Sequence, residues 1–201
     1  EAKEIFSVVA VIAGYVILRP PLSALTVDRG RYLGHTSRDP ALAAALLFGQ
    51  ALRHAGVAVA GAGRGTLRDD DVPLASVESA PLSRIVAWMG RVSDNFTAEL
   101  LLKQLGAMDG EVGTSAAGVA IVRGALADAG VPLAGMRLVD GSGLSSLDRL
   151  TARGLSALLR AAWNDPDVRP YLLAALPVAG ISGTLSDRMR TPPARGNVQA
   201  K

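Results

Sequence analysis

Ser93, Asp94 and Asn95 stand in a row and form the one combination in this chain whose residue types suggest chemistry. A hydroxyl and a carboxamide two positions apart offer a proton relay beside a group that both donates to and accepts from a substrate amide. Other routes to nucleophilic chemistry are thin. Cysteine is absent, which removes thiolate nucleophiles, disulfides and Cys-ligated metal sites. The two histidines, His35 and His54, lie near no nucleophile motif and read as surface or core residues. Neither G-x-S-x-G nor H-E-x-x-H occurs. Gly61-x-Gly63-x-Gly65 lacks the context of a dinucleotide fingerprint, and Asp69, Asp70 and Asp71 read as a solvated loop rather than a cation site. What remains is a serine activated by a lysine. That chemistry uses S-x-x-K, which sets the amine one helical turn from the hydroxyl, together with S-D-N and K-T-G. S-D-N is present, but no serine is followed three places on by lysine.

The elements that must position Ser93 and Asn95 are legible on either side of them. Ile85, Val86, Met89 and Val92 recur at helical spacing after Pro81-Leu82, predicting a helix with one apolar face. Ser93-Asp94-Asn95 interrupts it. Phe96, Leu100 and Leu101 open a second helix that Gly106 ends, and Thr114 or Ser115 caps a third that stops at Gly130. Met136 to Val139 predicts a short strand or extended segment running into the turn Asp140-Gly141-Ser142-Gly143. Thr151 caps a helix reaching Trp163, halted by Asn164-Asp165-Pro166, and a last helical stretch covers Tyr171 to Leu176. Upstream, Asp39-Pro40 starts an Ala/Leu-rich helix ending near Gly56, with a short strand predicted over Val57 to Ala60. The apolar run Ile5 to Leu18 falls short of the roughly 20 residues of a membrane span and predicts one or two buried strands.

Four stretches, taken in order, carry a family resemblance. SAPLSRIVAWMGRVSDNFTAELLLKQLGA (Ser79 to Ala107) resembles the S-D-N region of class C low-molecular-mass penicillin-binding proteins, the D-alanyl-D-alanine carboxypeptidases and endopeptidases of the bacterial cell wall. VDGSGLSSLDRLTARGLSALL (Val139 to Leu159) resembles their D-G-S-G-L-S signature. LPVAGISGTLSDRM (Leu176 to Met189) resembles their L-P-x-A-G-x-x-G-T-L segment, with Ser182 in place of an expected Asp. The tail GNVQAK (Gly196 to Lys201) resembles the strand that opens into K-T-G, Lys201 being its lysine.

The resemblance implies an α+β fold, mostly helical in this chain, with a few strands of an antiparallel sheet. Residues 39–201 would be part of a transpeptidase-like, penicillin-binding domain; residues 1–38, which the resemblance does not place, read from their residue types as an apolar, strand-like segment. It implies catalysis through an acyl-enzyme on peptidoglycan stem peptides ending in D-Ala-D-Ala, with β-lactams as inhibitors, no cofactor or metal, and a place in the bacterial cell envelope. Ser93 would relay a proton to the leaving nitrogen, Asn95 would hold the substrate amide, and Lys201 would place positive charge near the substrate carboxylate. Asp140 and Ser142 would shape a turn near the cleft. Glu99, Lys103 and Arg84 are expected on the wet faces of their helices. With S-x-x-K missing and Lys201 last, the chain is expected to be a C-terminal portion of such an enzyme, inactive alone.

Composition agrees with a globular chain and narrows the partners. Of 201 residues 49% are hydrophobic and 19% charged, which is too apolar for a disordered chain. The formal charge of +3 is spread without basic blocks or interleaved aromatic residues, which excludes a nucleic-acid platform. Two alternatives stay open at this stage: a non-catalytic helical module binding peptidoglycan or a protein partner, and a class A β-lactamase relative, which also uses S-D-N.

Overall fold

A computed structural model of the chain describes residues 22, 25–65, 71–72, 75–108 and 113–201. The predicted strands in Ile5 to Leu18, and Asp69 and Asp70, lie outside the described residues. Two compact units result, Glu1–Ala80 and Pro81–Lys201.

In the first unit, β1 (Arg31–Tyr32) pairs antiparallel with β2 (His35–Thr36). Leu33 and Gly34 between them both have positive φ, 49° and 81°, as a two-residue hairpin turn with right-handed strand twist requires. Helix α1 (Pro40–His54) starts where a capping side chain precedes proline: Asp39 accepts a hydrogen bond from the Leu42 N–H at 3.1 Å. Arg64 returns to the same carboxylate through Nε at 2.8 Å, and its guanidinium holds the Asp39 carboxyl below the usual range. The strand predicted over Val57 to Ala60 does not form. With no neighbouring strand to complete a ladder, this segment folds back along α1, and Arg53 donates to the Val59 carbonyl at 3.1 Å.

The second unit holds α2 (Leu82–Val92), α3 (Asn95–Gly106), α4 (Ser115–Asp128), α5 (Ala152–Asn164) and α6 (Arg169–Ala175). Each of the three capped starts is made by a short oxygen side chain accepting from a backbone N–H two or three residues into the helix. Asp94 accepts from Thr97 at 2.8 Å, Thr114 from Ala117 at 3.1 Å and Thr151 from Gly154 at 3.0 Å. Helices α3 and α4 pack closely because small residues meet there. A Cβ on Gly118 would collide with the Leu102 carbonyl oxygen. Phe96, Leu102 and Val119 are buried at this junction's apolar side, with Ala87, Val131, Met136, Ala179 and Leu185 completing the core.

Helix α6 begins two residues before the predicted start, with Pro170 in its first turn where a missing N–H is harmless. Met136 to Val139, expected as a short strand or extended segment, makes one antiparallel bridge, Arg137 to Arg149, and a second bridge joins Val178 to Gln199. Helix therefore dominates a unit whose extended pieces are single bridges. Several large apolar side chains remain exposed on it: Leu144, Leu147, Leu150, Leu155, Leu159, Trp163 and Tyr171.

Candidate active site

The break between α2 and α3 is built by two backbone bonds closing one helix and one side chain opening the next. The Asp94 N–H donates to the Met89 carbonyl at 3.0 Å and the Ser93 N–H to the Gly90 carbonyl at 3.4 Å. These form a Schellman-type end, which needs its penultimate residue in the left-handed region. Ser93 occupies that position, with φ 59° and ψ 50°. Glycine is the usual choice there, so a serine with a Cβ carries strain of about 1 kcal/mol or more. Asp94, buried, is occupied by capping α3. Ser93 is exposed and Asn95 half-buried. Neither the Ser93 hydroxyl nor the Asn95 carboxamide has a hydrogen-bond partner among the described residues. The middle residue of the triplet is thus structural, and its two neighbours keep their polar groups available.

Lys201 reaches the same corner. The tail runs beside the Leu176 to Gly180 segment: the Gly196 N–H donates to the Ala179 carbonyl at 2.9 Å, Ala179 to Val198 at 2.9 Å, and Ala200 to Pro177 at 3.2 Å. This lacing delivers the Lys201 ammonium to the Gly90 carbonyl, 2.7 Å away, in the last turn of α2. A cation there also meets the negative end of the α2 dipole. Burial lowers the Lys201 pKa below the ordinary lysine value. Gly90 itself lies flat on α6, with no room for a Cβ against the Ala175 carbonyl oxygen at 2.5 Å.

The Asp140–Ser145 turn is held from inside and outside. Asp140 accepts from the Gly143 N–H at 2.7 Å and the Ser145 N–H at 2.8 Å, so its carboxylate organises the turn. Ser142 donates its hydroxyl to Glu99 Oε1 at 2.6 Å and its N–H to the same oxygen at 3.2 Å. Glu99 is therefore half-buried and engaged, not simply on the wet face of α3. The signal that could have found it is spacing: Asn95 and Glu99, four apart, share one helix face. Among the described residues no group of three His, Asp or Glu side chains gathers as metal ligands would.

The family model described as D-Ala-D-Ala carboxypeptidase 3 (S13) matches residues 23–201. The chain belongs to this family. Family membership sets aside the class A β-lactamase alternative. A D-alanyl-D-alanine carboxypeptidase of Actinomadura sp. (strain R39) is 40% identical over 176 residues, covering 83% of this chain and 32% of that protein. A carboxypeptidase of Mycobacterium tuberculosis is 38% identical over 177 residues, covering 84% and 37%. Among solved structures, penicillin binding protein 4 from Haemophilus influenzae superposes with a TM-score of 0.68 at 27% identity, over 83% of this chain and 37% of that one. The same protein complexed with a β-lactam gives 0.67. The S13 chain thus spans about a third of the length of these relatives, and its mostly helical unit is a penicillin-binding-protein fold in part.

Proposed function

We propose that this S13 chain supplies the proton-relay and substrate-holding side of a serine-type D-Ala-D-Ala carboxypeptidase/endopeptidase acting on peptidoglycan stem peptides in the bacterial cell envelope. The observation that carries the reading is the α2–α3 corner. There a strained serine and a free carboxamide flank a capping aspartate, and the Lys201 ammonium docks one helical turn before them.

The chemistry follows from what each group has left to offer. The nucleophilic serine, paired with the lysine of S-x-x-K, would lie on polypeptide outside these 201 residues, since none of the serines here has that partner. Its hydroxyl gives its proton to that lysine and attacks the carbonyl between the two D-alanines; the proton travels on from the lysine through Ser93, the C–N bond breaks, and an acyl-enzyme forms. Ser93 passes a proton to the departing nitrogen, so that D-alanine leaves as a neutral amine. Asn95 donates its NH2 to the substrate amide carbonyl and accepts from its N–H. Lys201, two residues past the Val178–Gln199 bridge, contributes positive charge for the terminal carboxylate. Water then hydrolyses the ester. A β-lactam would acylate the same serine, since its ring presents an equivalent carbonyl.

The test is acylation of the full-length polypeptide by a fluorescent penicillin, wild type against Asn95→Ala. Loss of rate by about 100-fold or more is expected if the carboxamide orients the reacting amide. An unchanged rate would remove Asn95 from the site. A non-catalytic module binding peptidoglycan or a protein partner draws support from the missing S-x-x-K. It predicts instead that no serine of the full-length polypeptide takes the label.

A further inference from the structure

Glu99 lies outside the triplet and outside the tail that carries Lys201, yet it joins two of the four signature stretches. Its Oε1 accepts both donors of Ser142, the hydroxyl at 2.6 Å and the N–H at 3.2 Å. A carboxylate bonded twice by one residue fixes both the position and the orientation of that residue. The contact is tightened from below. Gly141 sits on the α3 backbone so closely that a Cβ would come within 2.5 Å of the Ala98 carbonyl oxygen and 3.0 Å of Leu102 Cβ. Asp140 stiffens the same turn from within, through Gly143 and Ser145. Turn and helix therefore move as one body, and the join is made one helical turn beyond Asn95 on the same face.

We infer that Glu99 is a positioning residue, clamping the Asp140–Gly143 turn to α3 so that the helix face bearing Asn95 keeps one orientation during acylation. The inference rests on the reading of Asn95 given above. The carboxylate is committed to Ser142, so it acts through geometry and takes no proton from substrate. What the clamp needs is an acceptor of the right length. A glutamine retains one such oxygen, whereas alanine leaves both Ser142 donors unanswered.

In the full-length polypeptide, Glu99→Ala is expected to slow acylation by a labelled penicillin at least about ten-fold, mainly in the chemical step and less in the concentration giving half-maximal rate. Glu99→Gln should restore the rate to within about three-fold of wild type, and Ser142→Ala, which keeps the N–H bond, should fall between. Should Glu99→Ala fail to fold, Ser142→Ala and Glu99→Gln still decide the matter. Wild-type acylation in Glu99→Ala, or in Ser142→Ala where that variant alone folds, would overturn the clamp. So would equal loss in the alanine and glutamine variants, since charge rather than geometry would then matter. Failure of the functional reading looks different: the wild-type polypeptide itself would take no label, and this role would fall with it.

Discussion

Ser93 stands where a helix end asks for glycine, and that misfit can be measured. Replacing it with glycine should stabilise the fold by about 1 kcal/mol, because the left-handed conformation no longer costs a Cβ clash. The same change should abolish acylation, which would separate the stability of the corner from its chemistry. Higher activity together with lower thermal stability in Ser93→Gly would contradict the account. Asp94→Ala should cost about 1–2 kcal/mol in chemical denaturation, since a buried cap is lost and the Thr97 N–H is left without its acceptor. Lys201 adds a pH signature. Its pKa lies below the ordinary lysine value, so its charge is lost at a lower pH than a free lysine would lose it. The alkaline limb of the acylation profile should therefore fall earlier than an exposed lysine predicts, and a Lys201→Arg variant should push that limb upward. A limb unmoved by that change would take Lys201 out of the titration.

At the scale of elements, the helices were legible because their signals are local. Asp39, Thr114 and Thr151 each announce a start, and each accepts the expected backbone hydrogen bond, whereas the cap of α3 falls to Asp94 rather than to Ser93 or Asn95. The strands were not legible, because extended backbone is decided by partners remote in sequence. Val57 to Ala60 finds Arg53 and the flank of α1 instead of a strand, and how far Met136 to Val139, a short strand or extended segment by sequence, would pair was decided by Arg149, twelve residues from Arg137. The spacing of Asn95 and Glu99 was open to reading, but the same limit hid the bond from Glu99 to Ser142, 43 residues away. Close packing gives this scale its own prediction. Gly118→Ala should destabilise the second unit by about 1–3 kcal/mol, as the added methyl pushes α4 off Leu102. A neutral thermal midpoint in that variant would mean that the α3–α4 contact yields more easily than the geometry suggests.

For the whole molecule, the four signature stretches converge unequally. Ser93 closes α2, Asn95 opens α3 and Lys201 bonds to Gly90 in the last turn of α2, while the Asp140 turn is fastened to α3 through Glu99. That convergence could be anticipated only through family resemblance, because nothing in the spacing of 93, 142 and 201 places them together. Leu155, Leu159 and Trp163 stand exposed on α5, in a chain that spans about a third of its relatives' length.

The most direct measurement is mass-spectrometric mapping of the penicillin adduct, on the 201-residue chain and on the full-length polypeptide in parallel. The account predicts no adduct on any serine of the 201 residues. It predicts one covalent adduct per full-length molecule, on a serine followed three residues later by lysine. A stable adduct on Ser93, or on any other serine of this chain, would contradict it.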